Sequence, residues 1–294
     1  MTKTRKLKQI NCNPNVRGKT IKKHSCLTPN VLLEIKNNYN KYNHNKITTN
    51  NPKYIWSTLR RKLHHCDNEM CWIDEFDDIE IRNAIKKKVF APLKPSEWKH
   101  DPNTWLSNYD ILKVLRQYEE KYPCFVILGP TPIDFDELEY DYGGFTKCVN
   151  EMICKFDLAS MKNKGKTKIG VIFNLSKHTE RGSHWVSLFI NLNEGYILFF
   201  DSGGKTAPNE VNNLVKKVQQ QGKEMDIDMK YIENKIRHQH TSTECGMYSL
   251  YFIITMLNEK INGKEVTQSK LKSHFLNGRI SDDYVFKRRD IYFN

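Results

Sequence analysis

No stretch of this chain stays apolar for the roughly 18 residues a membrane span needs. The longest apolar run, YSLYFIITML at 248–257, reads as a buried helix. The opening MTKTRKLKQI is basic but lacks an apolar core segment, so no secretory leader is expected. Eight cysteines in 294 residues are too sparse for a small disulfide scaffold. No Cys-x2-Cys pair occurs, which argues against a standard zinc motif. His24, Cys26, His64, His65, Cys66 and Cys71 are zinc-ligand types, with Cys66-x4-Cys71 at a loose spacing. Buried thiols or disulfides account for them equally well, and no metal is expected. Acidic residues are nearly absent at the start: residues 1–50 hold Glu34 alone against about eleven Lys/Arg.

What is present supports a globular protein. Hydrophobic residues make up 38%, with 14 Tyr and 14 Phe, enough to bury a substantial core. The formal charge of +13 points to an acidic partner, nucleic acid first, or to a solvated basic tail. The organisation expected is a basic flexible tail over 1–25, a helical arm over 26–95 and a larger domain over 96–294. Helices are expected from Pro29, around 52–63 and around 74–89, and Pro92 and Pro95 mark the boundary.

Beyond residue 100, TWLSNYDILKVLRQYEEKYP is an amphipathic helix stopped by Pro123. CFVILG, KTKIGVIFNLS, HWVSLFINL and YILFFDS read as strands, and FTKCVNEMICKF as a helix. A helix from Pro208 closed by Gly222, a short strand at 236–239 and a long apolar helix from Cys245 complete the pattern. This is an α+β arrangement, with a central mixed β-sheet flanked by helices. There is no internal repeat.

Three residues stand out by placement. His184 opens one apolar strand, Asp201 closes the next, and Cys245 heads the apolar helix. Imidazole can take a thiol proton while a carboxylate holds the ring. A helix N-terminus favours the thiolate. Gln239, six residues before Cys245, offers a side-chain amide to an oxyanion beside the Cys245 backbone N–H. Gly246 would let backbone approach a substrate carbonyl.

The joint pattern His184-Trp185, Asp201, Gln239 and Cys245-Gly246 resembles the adenain and ubiquitin-like-protein-specific clan of cysteine proteases. TWLSNYDI at 104–111 is similar to the segment that opens the catalytic domain in the SUMO-specific branch. NKIRHQHTSTECGMYSLYFI and FLNGRISDDYVFKRRDIYF look like the polyprotein-processing proteases of large nucleocytoplasmic DNA viruses, of the African swine fever virus type. So does the Cys26 … Cys66-Asp-Asn-Glu-Met-Cys71 pattern.

The resemblance implies an endopeptidase that matures viral structural and core precursors, in host cytoplasm (virus factory) and virion, from a mimivirus-like source. It implies Trp185 over a narrow channel for small residues such as Gly-Gly. No cofactor is implied beyond activation by DNA, which adenain uses. Where the SUMO-specific branch has Gly and Asp before its Cys-Gly, this chain has Thr243-Glu244, which counts against action on ubiquitin-like conjugates. Deconjugation of host proteins is the alternative. Acyl transfer and a nucleic-acid-binding role with a vestigial site rank lower. Gly143-Gly144 and Gly203-Gly204 read as turn glycines before self-cleavage sites.

Overall fold

The computed structural model describes residues 7–140 and 146–294, so Gly143-Gly144 lie outside the described residues. The chain divides into two compact units, one of residues 1–94 with 290–294, the other of residues 95–289.

The first unit is helical: α1 (Pro29–Tyr42), α2 (Pro52–Lys62), α3 (Glu69–Asp74) and α4 (Ile79–Val89). Each helix starts where a side-chain oxygen satisfies otherwise unpaired N–H groups: Thr28, Asn51, Asn68 and Asp78. The helix expected around 74–89 begins only at Ile79, and α3, which was not expected, precedes it. Glu75 ends α3, and the Asp78 carboxylate starts α4 three residues later. Val31, Leu32 and Ile35 of α1 bury against Ile55, Leu59, Trp72, Ile73 and Ile85.

Residues 7–25 are packed into this unit, contrary to the flexible tail expected there. Cys12 pairs by an antiparallel bridge with Phe90 and by a disulfide with Cys26. Asn13 is fully buried and its Nδ2 donates to Lys87 O at 2.9 Å. Charge made this stretch look like a tail, but its few apolar and Asn side chains supply the contacts.

In the second unit, α5 (Asn108–Lys121) leads into β1 (Phe125–Pro132). A two-stranded excursion, β2 (Leu138–Tyr140) and β3 (Thr146–Cys148), is followed by α6 (Glu151–Cys154) and α7 (Leu158–Asn163). Next come β4 (Lys168–Asn174), β5 (Trp185–Asn191), β6 (Tyr196–Phe200), α8 (Asn209–Lys223) and β7 (Lys230–Glu233). The chain then runs through α9 (Cys245–Asn258), a small hairpin of β8 (Lys260–Ile261) and β9 (Lys264–Glu265), α10 (Gln268–Leu276), α11 (Asp282–Phe286) and α12 (Arg289–Tyr292).

The five-stranded sheet has order β1-β4-β5-β6-β7. Its outer pairs are parallel and its two inner pairs antiparallel, the mixed sheet of an α+β fold. Every residue of β5 and β6 is buried, which is why they read as unbroken apolar runs rather than alternating ones. One face carries Val171, Phe173, Leu188 and Phe199 against Val211, Leu214, Val215 and Val218 of α8. The other face receives α9, with Phe200 stacked on Phe252 at 4.9 Å. Gly170 of β4 permits that approach: a Cβ there would lie 3.1 Å from the Phe125 ring and 3.2 Å from Ile253.

Three expectations shift here. Within FTKCVNEMICKF a single helix does not form, because the Asn150 side chain caps a new start at 151 after a short strand. At 236–239 there is no strand: His238 N and Gln239 N both donate to Ser202 O, and β7 lies earlier. Gly222 sits inside α8 rather than closing it.

Candidate active site

The topology brings three element ends together. His184 immediately precedes β5, Asp201 immediately follows β6, and antiparallel pairing of these neighbours sets the two side by side. The His184 ring Nε2 lies 2.6 Å from Asp201 Oδ1. The imidazole also interacts with Cys245, the first residue of α9.

Burial disfavours a charged ring, yet the hydrogen bonds to Asp201 and Cys245 and their charges overcome it and raise the His184 pKa to about 9. Burial likewise pushes the Asp201 carboxyl up. The His184 hydrogen bond and charge, with N–H groups from Gly203 and Lys205, override it and hold the acid below its ordinary value. The two shifts agree: the pair favours imidazolium and carboxylate.

Asp201 is held from its backbone as well. Its N–H donates to Asn234 Oδ1 at 2.8 Å, and Asn234 Nδ2 donates back to Asp201 O at 2.9 Å. The turn beyond it needs glycine at 204: φ is +73°, and a Cβ would meet Arg237 N at 2.7 Å. Gly203-Gly204 is thus a turn built into the site.

Gln239 is buried, and its amide is fixed at both ends. Ser202 Oγ donates to its Oε1 at 2.7 Å, while its Nε2 donates to Thr241 O at 2.8 Å. The Nε2 carries a second hydrogen available for another acceptor. Trp185 is nearly buried, its Nε1 donating to Leu106 O at 3.2 Å. Gly246 lies behind it, where a Cβ would come within 3.2 Å of Leu106 and 3.3 Å of Trp185. Its smallness accommodates packing at this spot. A groove of about 550 Å³ runs past Trp185, Trp105, Leu106, Pro130 and His178.

Several contributing residues were not legible beforehand. Glu244, just before Cys245, is buried in an ion pair with Arg289, which also donates to Pro102 O and stacks over Trp98 at 4.1 Å. His238 is fully buried, Nδ1 accepting from Ile280 N and Nε2 facing Phe275 O. Burial lowers its pKa, and it braces the loop before Cys245 in neutral form. Ser202, Asn234 and Arg289 are ordinary polar residues whose partners Gln239, Asp201 and Glu244 lie 33 to 45 positions away, so no local pattern marks them. Among the described residues no helix is long and apolar enough to cross a membrane.

This arrangement sets an imidazole between a carboxylate and a thiol, the requirement for nucleophilic acyl-transfer chemistry. Comparison with known proteins points the same way. Residues 157–279 match the Ulp1 protease family, C-terminal catalytic domain. The chain is 30% identical over 197 residues to R355 of Acanthamoeba polyphaga mimivirus, named as a thiol protease, covering 65% of this chain and 60% of that protein's length. It is 26% identical over 251 residues to the "SUMO-1 cysteine protease S273R" of African swine fever virus (isolate Warthog/Namibia/Wart80/1980), covering 81% of this chain and 86% of the other. The crystal structure of the African swine fever virus pS273R protease shares the fold, with a TM-score of 0.61 at 21% identity over 99% of this chain and 98% of that one. Residues 157–279 thus match the catalytic domain of the Ulp1 protease family, and relatives spanning most of the chain are named as cysteine proteases.

Proposed function

We propose that this chain is a cysteine endopeptidase that cleaves viral structural and core precursors after small residues such as Gly-Gly, in the host cytoplasm and the virion. The observation that carries the reading is the His184–Asp201 pair at 2.6 Å, whose ring also interacts with Cys245 at the head of α9. His184 takes the Cys245 proton and the thiolate adds to the scissile carbonyl. The second hydrogen of Gln239 Nε2 and the Cys245 backbone N–H receive the oxyanion. As the C–N bond breaks, His184 delivers its proton to the leaving amine. Water, deprotonated by His184, then opens the thioester and returns the thiol. Asp201 fixes the ring orientation throughout.

Viral precursors are favoured because relatives of matching length are viral cysteine proteases. The near-buried Trp185 beside Leu106 supports preference for residues without bulky side chains at the cleavage point. Removal of ubiquitin-like modifiers is the second reading, supported by the SUMO-1 protease name of those relatives.

The test is cleavage of a co-expressed viral core precursor carrying Gly-Gly-X junctions by wild type, Cys245→Ala and His184→Ala. Discrete products lost in both variants support maturation. Intact precursors together with labelling of Cys245 by a SUMO or ubiquitin C-terminal electrophile would favour deconjugation. Cleavage that survives Cys245→Ala sinks the assignment of the nucleophile.

A further inference from the structure

The helical unit holds a cluster that peptide hydrolysis does not use. His65 and Cys66 lie on the connection after α2, Cys71 is in α3, and Glu75 ends that helix. One ligand atom from each, a ring nitrogen, two sulfurs and a carboxylate oxygen, lies within 4.8 Å of all the others. The local fold enforces this. Asn68 Oδ1 accepts from Met70 N at 2.9 Å and Cys71 N at 3.2 Å, turning the chain so that the Cα atoms of Cys66 and Cys71 stand 5.5 Å apart. His65 Nε2 meets Glu75 Oε1 at 2.9 Å beside the sulfurs.

Cys66 and Cys71 are joined as a disulfide, as are Cys12–Cys26 and Cys148–Cys154. A disulfide requires neither imidazole nor carboxylate. Among the described residues the Cys66–Cys71 pair alone of the three has both within ligand reach. Zinc takes tetrahedral N, O and S donors at roughly 2.0–2.3 Å, which sets neighbouring ligand atoms a little under 4 Å apart. Side-chain rotation on the present backbone spans that difference. Cys66 is buried, while His65 and Glu75 are half-exposed and leave an entry path from solvent.

We propose that the reduced chain binds one Zn²⁺ through His65 Nε2, Cys66 Sγ, Cys71 Sγ and a Glu75 carboxylate oxygen. Reduction is supplied by a small-molecule thiol. Two of its molecules couple to their own disulfide as the Cys66–Cys71 bond breaks, and their two protons pass to the cysteine sulfurs. Zn²⁺ then displaces those two protons and binds both thiolates. Four protein ligands fill the coordination sphere, so the ion is structural: it ties the connection after α2 to both ends of α3. His24, Cys26 and His64 stand outside the set.

The test uses the full chain, reduced with a monothiol, desalted without air and loaded with Zn²⁺, then measured by elemental mass spectrometry after gel filtration. One zinc per chain is expected, with none in Cys66→Ser/Cys71→Ser and at least tenfold weaker binding in His65→Ala and Glu75→Gln. Co²⁺ loading should give sulfur-to-metal charge-transfer and tetrahedral d–d absorption, both lost in Cys71→Ser. Glu75 is half-exposed, so Glu75→Gln keeps the test open if the cysteine variants misfold, as circular dichroism would reveal. A reduced chain with Cys66 and Cys71 titratable as free thiols but no stoichiometric zinc overturns the proposal. Zinc retained in the double serine variant overturns it equally.

Discussion

The Asp201 carboxylate accepts from Gly203 N at 2.8 Å and Lys205 N at 3.1 Å in addition to His184. These contacts leave little freedom for the imidazole it holds. Replacing Asp201 with Asn removes the charge that sustains the His184 pKa near 9. In wild type, kcat/KM should fall as pH rises through about 9, where the imidazolium is lost; in Asp201→Asn that limb should move to lower pH and kcat should drop. An unmoved limb would mean another group controls it.

Stability follows the same pair. His184 is raised on folding, so its contribution is full below pH 6.5 and lost as pH rises through about 9. Asp201 is lowered, so its contribution is present above pH 3.8 and lost as pH falls through its folded value. The Tm difference between wild type and Asp201→Asn should therefore be widest between about pH 4 and 6.5 and shrink on either side. Gln239→Ala removes one proposed oxyanion donor, so kcat should fall about 10²–10³-fold with little change in KM. Ser202→Ala leaves the amide present but loosened, and a smaller kcat loss on a folded protein should result.

At the scale of elements, α9 must carry Cys245 to one spot, and two features hold it there. Gly170 lets the helix lie close to β4, so Gly170→Ala should overpack against Phe125 and Ile253 and cost about 1–3 kcal/mol in urea unfolding. A stability change near zero would mean both side chains can shift. The buried Glu244–Arg289 pair anchors the residue just before Cys245, and replacing Arg289 with Met leaves Glu244 buried alone, a loss of about 3–5 kcal/mol.

Elements were legible where burial dictated composition. β4, β5 and β6 are covered on both faces, and α5 carries its own capping box of Ser107 and Asp110. They were illegible where one side chain reorganises the backbone locally, as Asn150 does at α6 and Asp78 at α4. The meeting of His184 with Asp201 and Cys245 was legible because their neighbours form recognisable runs at element ends. Asn234 and Arg289 were not, since folding alone gives them partners.

At the scale of the molecule, charge is the feature that catalysis does not use. The chain carries a formal +13, and about eleven Lys/Arg fall in residues 1–50 beside Glu34 alone. Residues 7–25 are packed rather than trailing, so Lys8, Arg17, Lys19, Lys22 and Lys23 ride on a folded surface. Some of this charge is engaged locally, since Lys8 pairs with Asp67 at 2.9 Å and Lys22 sits over Trp56 at 3.8 Å. The remainder is available to a polyanionic partner. If that polyanion is DNA, added duplex should raise the cleavage rate of a basic precursor by concentrating enzyme and substrate on one strand. Each neutralised phosphate contributes about −0.9 to the slope of log affinity against log salt. Replacing Arg17, Lys19 and Lys23 with Gln should therefore flatten the salt dependence while leaving hydrolysis of a short neutral peptide unchanged. A DNA-independent rate, equal in wild type and triple variant at low salt, would assign the charge to solubility alone.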